Sequence, residues 1–360
     1  MRKNRIKSLL GFMEKKGVEV TLINSSANRL YFSGFPGSAG YLLIQPNDTQ
    51  KLLTDFRYRD QAKTEAEEYE VIVEKPPLLG AAGEQLQKLK VKKVGIEYNQ
   101  ISLNDFLFLK QELPHVEFVD IESEIMEIRM IKDETEIDSF RKGIHLCDLA
   151  FDHILHFIQP GITEKDIGLE LEYFMKKHGA QGIKENHVIV SGERGALPHG
   201  QATDRVIQLG DFITMDYGAK NNGYYTDFTR TVVVGEPNDK QKEIYEIVKH
   251  AQEEAIKAIK PGKACNELDE VGRSIIREAG YGELFGHSLG HSLGLHIHER
   301  PTMRSTDITL LQPGMVITVE PGIYIPGFGG VRIEDLIVIR PDGIENLTTS
   351  TKELQIVGVS

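Results

Sequence analysis

The sequence predicts an α/β chain of two domains, the second built from an internal duplication. Three observations carry this. The chain has 360 residues, more than one hydrophobic core ordinarily organises. Its first third alternates short strand and helix signals. Farther on, Gly210-Asp211-Phe212-Ile213-Thr214-Met215-Asp216 is matched about a hundred residues later by Gly314-Met315-Val316-Ile317-Thr318-Val319-Glu320.

The elements follow in order. Residues 5–16 read as a helix and 18–23 as a strand. Residues 41–44 and 51–53 read as a hairpin across Pro46-Asn47-Asp48. A helix over 84–89 and a strand over 93–96 continue the alternation. Near residues 125–131 the pattern changes. Lys132-Asp133-Glu134-Thr135-Glu136-Ile137 then leads into a long amphipathic run ending near Ile158, with Asp133 and Glu136 spaced as a capping box. The boundary is set near residue 127, giving domains 1–127 and 128–360. Pro160-Gly161 and Pro261-Gly262 each separate two helical runs, a second sign of duplication: helices, then an acid-bearing hairpin, twice.

Composition narrows the function classes. Hydrophobic content of 40% and charged content of 27% are ordinary for a globular chain. A net charge of −12 argues against a nucleic-acid partner, which requires a basic face. Cys147 and Cys265 form no CxxC pattern, so a reducing compartment is the simpler reading. The basic start Met1-Arg2-Lys3-Asn4-Arg5 is followed by no continuous apolar segment, and no run reaches the ~20 residues of a membrane span. A cytoplasmic location without membrane attachment is expected.

The chemistry lies in the duplicated strands. Asp216 is followed, after a turn, by Asp227 in Tyr225-Thr226-Asp227-Phe228-Thr229-Arg230. Glu320 is followed by Glu334 in Val331-Arg332-Ile333-Glu334-Asp335. Asn222-Gly223 is a tight-turn signal. Asp216 and Asp227 sit symmetrically about Asn221-Asn222, and pairing the strands about that turn sets them roughly opposite each other, with Cβ atoms ~5 Å apart. Bare carboxylates at that distance repel, and on apolar strands they are costly unless neutralised. One such pair is as well explained by a solvated edge hairpin, but two in equivalent positions are not. Four carboxylates with an imidazole suit a pair of divalent cations. His287, His291, His296, His298 and His199 all compete for the imidazole role. Spacing does not choose, because Gly286-His287-Ser288-Leu289 and Gly290-His291-Ser292-Leu293 are one tetrapeptide twice.

These residues resemble the "pita-bread" metallopeptidases, the class of aminopeptidase P, prolidase and methionine aminopeptidase. The matching segments are Ser191-Gly192 with Ala196-Leu197-Pro198-His199-Gly200, Met215-Asp216-Tyr217-Gly218, and Thr226-Asp227-Phe228-Thr229-Arg230-Thr231. Gly290-His291 through His298-Glu299 and Pro301, Val319-Glu320-Pro321-Gly322 and Arg332-Ile333-Glu334-Asp335 complete the set. The resemblance implies a creatinase-like N-terminal α/β domain and a pita-bread catalytic domain with pseudo-two-fold duplication. It implies Asp216, Asp227 and Glu334 on one metal, with Asp227 and Glu334 bridging to a second that His291 and Glu320 complete. Two divalent ions per subunit are implied, Mn²⁺ first, with Co²⁺ or Zn²⁺ as alternatives. Water activated between them would attack the bond before proline, with Glu320 as general base. His298, His199, Arg332 and Tyr324 would act on the substrate. The implied partner is a peptide with proline at its second position, and the implied assembly a homodimer.

Two positions depart from the family pattern. Glu185-Asn186-His187 stands where an aromatic followed by an acid is usual. Thr302 follows Pro301 where many prolidases carry an arginine for a dipeptide's carboxylate, with Arg304 two residues on. Aminopeptidase P-like activity on longer peptides is therefore favoured over a strict Xaa-Pro dipeptidase. A non-catalytic peptide-binding module and a metal-free creatinase-like hydrolase have no need of the full ligand set. A methionine aminopeptidase is disfavoured by the large N-terminal domain.

Overall fold

The computed structural model describes residues 2–46 and 49–359. The chain divides into two compact units, Met1–Arg129 and Met130–Ser360. Unit one holds strands β1 (Val20–Ile23), β2 (Tyr41–Ile44), β3 (Gln50–Thr54), β4 (Tyr69–Val73), β5 (Lys93–Ile96) and β6 (Glu117–Asp120). They form one mixed sheet in the order β4-β3-β2-β1-β5-β6. Its helices are α1 (Arg2–Lys16), α2 (Ser26–Ser33), α3 (Arg59–Glu65), α4 (Leu78–Leu89), α5 (Leu103–Glu112) and α6 (Glu122–Met130), the last crossing into unit two at its final residue. Leu22, Leu43, Leu53, Leu86, Val94 and Ile96 form the core of this unit.

Two sequence expectations are adjusted here, and a third lies partly outside the described residues. The strand expected from residue 18 begins at Val20. Gly17 (φ 66°) turns the chain out of α1, and the Val18 amide still bonds the Met13 carbonyl at 2.8 Å. The helix expected over 84–89 runs from Leu78, because burial of Leu78, Leu79, Ala82 and Leu86 outweighs the poor propensity of Gly80 and Gly83. The hairpin pairs Tyr41 with Leu53 as read, but Asn47 and Asp48 of its expected turn lie outside the described residues.

Unit two opens with α7 (Glu134–Phe157), where the Asp133 side chain caps the Glu136 amide and the Glu136 side chain returns to the Asp133 amide. The first half continues with α8 (Glu164–Lys177), β7 (Gly182–Ile183), β8 (Val188–Ser191), β9 (Phe212–Tyr217), β10 (Ala219–Asn221), β11 (Tyr224–Tyr225) and β12 (Phe228–Val234). The second half repeats the plan with α9 (Asp239–Ala258), α10 (Cys265–Glu278), β13 (Gly290–Ser292), β14 (Glu299–Met303), β15 (Val316–Val319), β16 (Gly322–Ile325), β17 (Gly329–Arg332) and β18 (Asp335–Arg340). Strands β19 (Gly343–Asn346) and β20 (Ile356–Val357) close the chain. Gly161 (φ 100°) and Gly262 (φ 83°) make the equivalent turns between each half's two helices.

The two larger sheets of unit two run β20-β12-β9-β8 and β14-β13-β15-β18-β19, beside the smaller β11-β10-β7 and β16-β17. Among the described residues the two larger sheets are joined by one isolated antiparallel bridge, Thr229 with Glu334. Ile317, Val319, Ile323, Val331, Ile333 and Ile337 pack with the buried faces of α9 and α10 into one core. The acid-bearing segments therefore lie where these two sheets are joined. Among the described residues no helix is long and apolar enough to cross a membrane.

Candidate metal centre

Two hairpins deliver the four acids, and their registers differ. In the second half, Val319 pairs with Asp335 and Gly322 with Arg332, one continuous register that sets Glu320 across from Glu334. In the first half, Asn222 (φ 48°) and Gly223 (φ 85°) form the two-residue turn, with Asn221 paired to Tyr224. That turn centre pairs Asp216 with Thr229, so Asp216 is not opposite Asp227 as the sequence reading had it. The slip is two residues, which preserves strand parity. Asp227 and Thr229 share a face, and Asp216 and Asp227 become diagonal neighbours on it.

Something cationic lies between them. The Lys184 ammonium bonds Asp216 Oδ1 and reaches Asp227 Oδ1 at 2.6 Å. Asp216 Oδ2 accepts from Arg332 Nη2 at 2.6 Å. On the other side, His291 Nε2 lies 3.3 Å from Glu320 Oε1 and 3.7 Å from Asp227 Oδ2. His291 Nδ1 faces the Ser292 carbonyl at 3.0 Å, which assigns its proton there and leaves the Nε2 lone pair towards the acids. Thr229 donates to Glu334 Oε2 at 2.6 Å, whereas Glu334 Oε1 is buried with no hydrogen-bond partner among the described residues.

These residues fit a divalent cation. Asp227, His291 and Glu334 are all buried, and each offers one ligand atom within 4.8 Å of the others'. The electrostatics agree. Burial raises Asp227 to about 6, with Lys184 opposing and Asp216 adding to the rise. Burial raises Glu320 to about 7 against the pull of Arg332, and Glu334 is pushed well up by burial and by Asp227. Burial works to raise Asp216 too, but Lys184 and Arg332 outweigh it and hold the carboxyl well below its usual range. His291 is held down by burial and is neutral, the form in which imidazole ligates. Three acids raised by burial beside one neutral imidazole are a set that a bound cation would relieve.

Around this centre the remaining predicted residues take distinct places. His298 is exposed and its ring meets that of His291 edge-on, centroids 4.5 Å apart. His199 is exposed in the loop after β8. The Arg332 guanidinium is buried and its donors go to protein groups: Asp216, Tyr324 Oη at 2.7 Å, Thr229 Oγ1 at 3.3 Å and the Pro198 carbonyl at 3.4 Å. Tyr324 Oη also meets His287 Nε2 at 2.8 Å, which ties the first histidine of the repeated tetrapeptide to the tyrosine and away from the acids. His296 is exposed. Gly290 lets β13 approach β15, since a Cβ there would run into the Thr318 carbonyl. Glu185 is exposed, and Thr302 pairs with His291 across β13 and β14. Sequence reasoning passed over Lys184 and Thr229. Lys184 abuts the departure at Glu185-Asn186-His187, which was the available signal.

Residues 138–341 match the family described as metallopeptidase family M24, and residues 5–131 match the creatinase/prolidase N-terminal domain. A Xaa-Pro dipeptidase of Pyrococcus horikoshii is 41% identical over 351 residues, covering 97% of this chain and 98% of that protein. A solved structure named Xaa-Pro dipeptidase from Bacillus anthracis is 41% identical with a TM-score of 0.96, over 99% of this chain and all of that one. A structure named X-Pro aminopeptidase from Thermotoga maritima is also 41% identical, TM-score 0.90, over 95% and 98% of the two chains. With a creatinase-type first unit and a duplicated second unit gathering Asp227, His291, Glu320 and Glu334, the chain is a metal-dependent peptidase and belongs to metallopeptidase family M24.

Proposed function

We propose that the chain hydrolyses the Xaa-Pro bond at the N-terminus of peptides, as an aminopeptidase P-like exopeptidase. Asp216, Asp227, His291, Glu320 and Glu334 would hold a pair of divalent cations, manganese first, with cobalt or zinc as alternatives. The observation that carries this reading is the buried carboxylate–imidazole group with the unpartnered Glu334 Oε1. The names of the relatives support the Xaa-Pro substrate class.

Bound divalent cations would bring the pKa of a water towards neutrality and polarise the scissile carbonyl. Glu320, only 15% exposed at its side chain and 3.3 Å from His291 Nε2, would accept the attacking water's proton. As the carbon–oxygen bond forms and the carbon–nitrogen bond breaks, that proton passes to the proline nitrogen. Proline's tertiary nitrogen carries no hydrogen of its own, so its protonation makes it a competent leaving group. His298 and His199 are exposed beside the centre and would hydrogen-bond the substrate carbonyl and chain ends. Partial burial of its ring, with His291 beside it, holds His298 down to about 4, so it is a neutral donor at physiological pH. Arg332 fixes Asp216 and Tyr324, and Tyr324 would line the substrate pocket.

Thr302 is uncharged and Arg304 is exposed, which supports acceptance of peptides longer than two residues. Dipeptidase action is the second reading, favoured by the printed names of the relatives. Hydrolysis of a matched Xaa-Pro dipeptide and tripeptide by Mn²⁺-loaded protein separates the two. Cleavage of the tripeptide supports the first reading, and cleavage of the dipeptide alone the second, with Arg304 as carboxylate clamp. The chain is further proposed to act in the cytoplasm, in line with two unpaired buried cysteines, and as a homodimer.

A further inference from the structure

The Asp216–Asp227 side of the centre already holds a cation that belongs to the chain. Lys184 follows β7 directly, and its amide donates to the Gly218 carbonyl at 2.7 Å, anchoring its backbone beside the loop between the two aspartates. Its side chain is 11% exposed, and its ammonium bonds one oxygen of each aspartate. Arg332 takes the second oxygen of Asp216. Asp216 thus has both oxygens on side-chain cations. Asp227 has one oxygen on Lys184 and the other turned to His291.

Charge counting gives the consequence. Asp216, Asp227, Glu320 and Glu334 carry four negative charges when ionised, and Lys184 and Arg332 return two. The remainder is the charge of one divalent cation. The atoms grouped for such an ion are on Asp227, His291 and Glu334, and Asp216 is not among them. A second ion between Asp216 and Asp227 would stand where the ammonium stands, and a lysine and a metal ion so close would repel strongly in a low-dielectric site.

We infer that Lys184 is the resident cation of the Asp216–Asp227 side, so that the chain holds one divalent ion firmly and admits a second only by expelling the lysine. This rests on the metal-centre reading above and goes beyond it. The two ions implied by the family pattern become unequal: one bound by the His291 side, one in competition with an ammonium on a flexible stem. Lys184 is then a positioning residue that sets metal stoichiometry.

The test is metal content. Wild-type protein, Lys184→Ala and the near-isosteric Lys184→Gln are saturated with Mn²⁺, desalted and measured for manganese per chain, with electron paramagnetic resonance to tell isolated from coupled ions. Thermal unfolding checks that each is folded, and the glutamine variant serves if alanine leaves a damaging cavity. The wild type is expected to retain one uncoupled ion and the variants two coupled ions, with affinity for the second raised at least tenfold. Equal retention in wild type and variants, at one ion or at two, overturns the role of Lys184 while leaving the metal centre standing. No retained metal in any of them overturns both.

Discussion

Thr229 donates its hydroxyl hydrogen to Glu334 Oε2 at 2.6 Å across the only bridge joining the two sheets among the described residues, and Glu334 Oε1 beside it is buried without a partner. One oxygen is fixed by the scaffold and the other is left for a ligand. That division is what a metal-binding carboxylate requires: an outer contact that orients it and an inner lone pair kept open.

Replacing this carboxylate separates binding from folding. Glu334→Gln is expected to weaken Mn²⁺ binding by more than about 100-fold, since loss of an outer-shell partner alone costs about 10–100-fold. The metal-free variant should melt no lower than metal-free wild type, because burial already pushes this carboxyl towards its neutral form and the amide has no charge to bury. Calorimetric titration and thermal melts in chelator check the two halves.

The metal-free protein should lose stability as pH rises. Asp227 at about 6 and Glu320 at about 7 lie above their ordinary 3.8 and 4.5, so the folded state binds protons more tightly than the unfolded one. Their contribution is fully present below about pH 4 and is lost as pH climbs through about 6 to 7. Below about pH 6.5 the lowered His287 and His298 work the other way, so melting temperature in chelator should fall between about pH 6.5 and pH 8, and saturating Mn²⁺ should raise it most at the upper end. A flat metal-free profile would contradict the charge imbalance.

Arg332 links Asp216, Tyr324 and Thr229 while 3% exposed. Arg332→Met is expected to destabilise the protein by about 3–5 kcal/mol, the range for stranding one partner of a buried ion pair. Arg332→Lys keeps the charge but loses the fork, and should cost less stability while still lowering kcat. Urea unfolding with steady-state kinetics tests both.

His298 and His291 touch at the ring edges but have different duties. His298→Ala should keep wild-type metal content and lower kcat by about 10²–10³-fold, the effect of removing one donor to a developing oxyanion. His291→Ala should lose metal and activity together. Metal analysis on both variants distinguishes them.

The sequence made the duplicated plan readable, because the repeat from Gly210 to Asp216 and from Gly314 to Glu320 is carried by local patterns that survive folding. Turn chemistry at Asn222-Gly223 was readable for the same reason, yet the register was not. Taking Asn221-Asn222 as the centre shifted Asp227 by two residues, and only the ladder from Phe212 to Tyr217 against β12 corrects it. His287 and His291 could not be separated locally, since their tetrapeptides are identical. Contacts distant in sequence divide them: Tyr324 takes His287, and Asp227 with Glu320 faces His291. Lys184 escaped notice because its ion-pair partners lie 32 and 43 residues away, and only the departure at Glu185-Asn186-His187 beside it marked the segment.

The most direct test is a single comparison. Purified protein with Mn²⁺ or with excess chelator is offered Ala-Pro-Ala and Ala-Ala-Ala, and released alanine is measured. Cleavage of Ala-Pro-Ala with Mn²⁺ alone, with Ala-Ala-Ala left intact, is the predicted result. Cleavage that persists in chelator would contradict metal dependence, and no cleavage of either peptide with metal bound would contradict the aminopeptidase P-like reading.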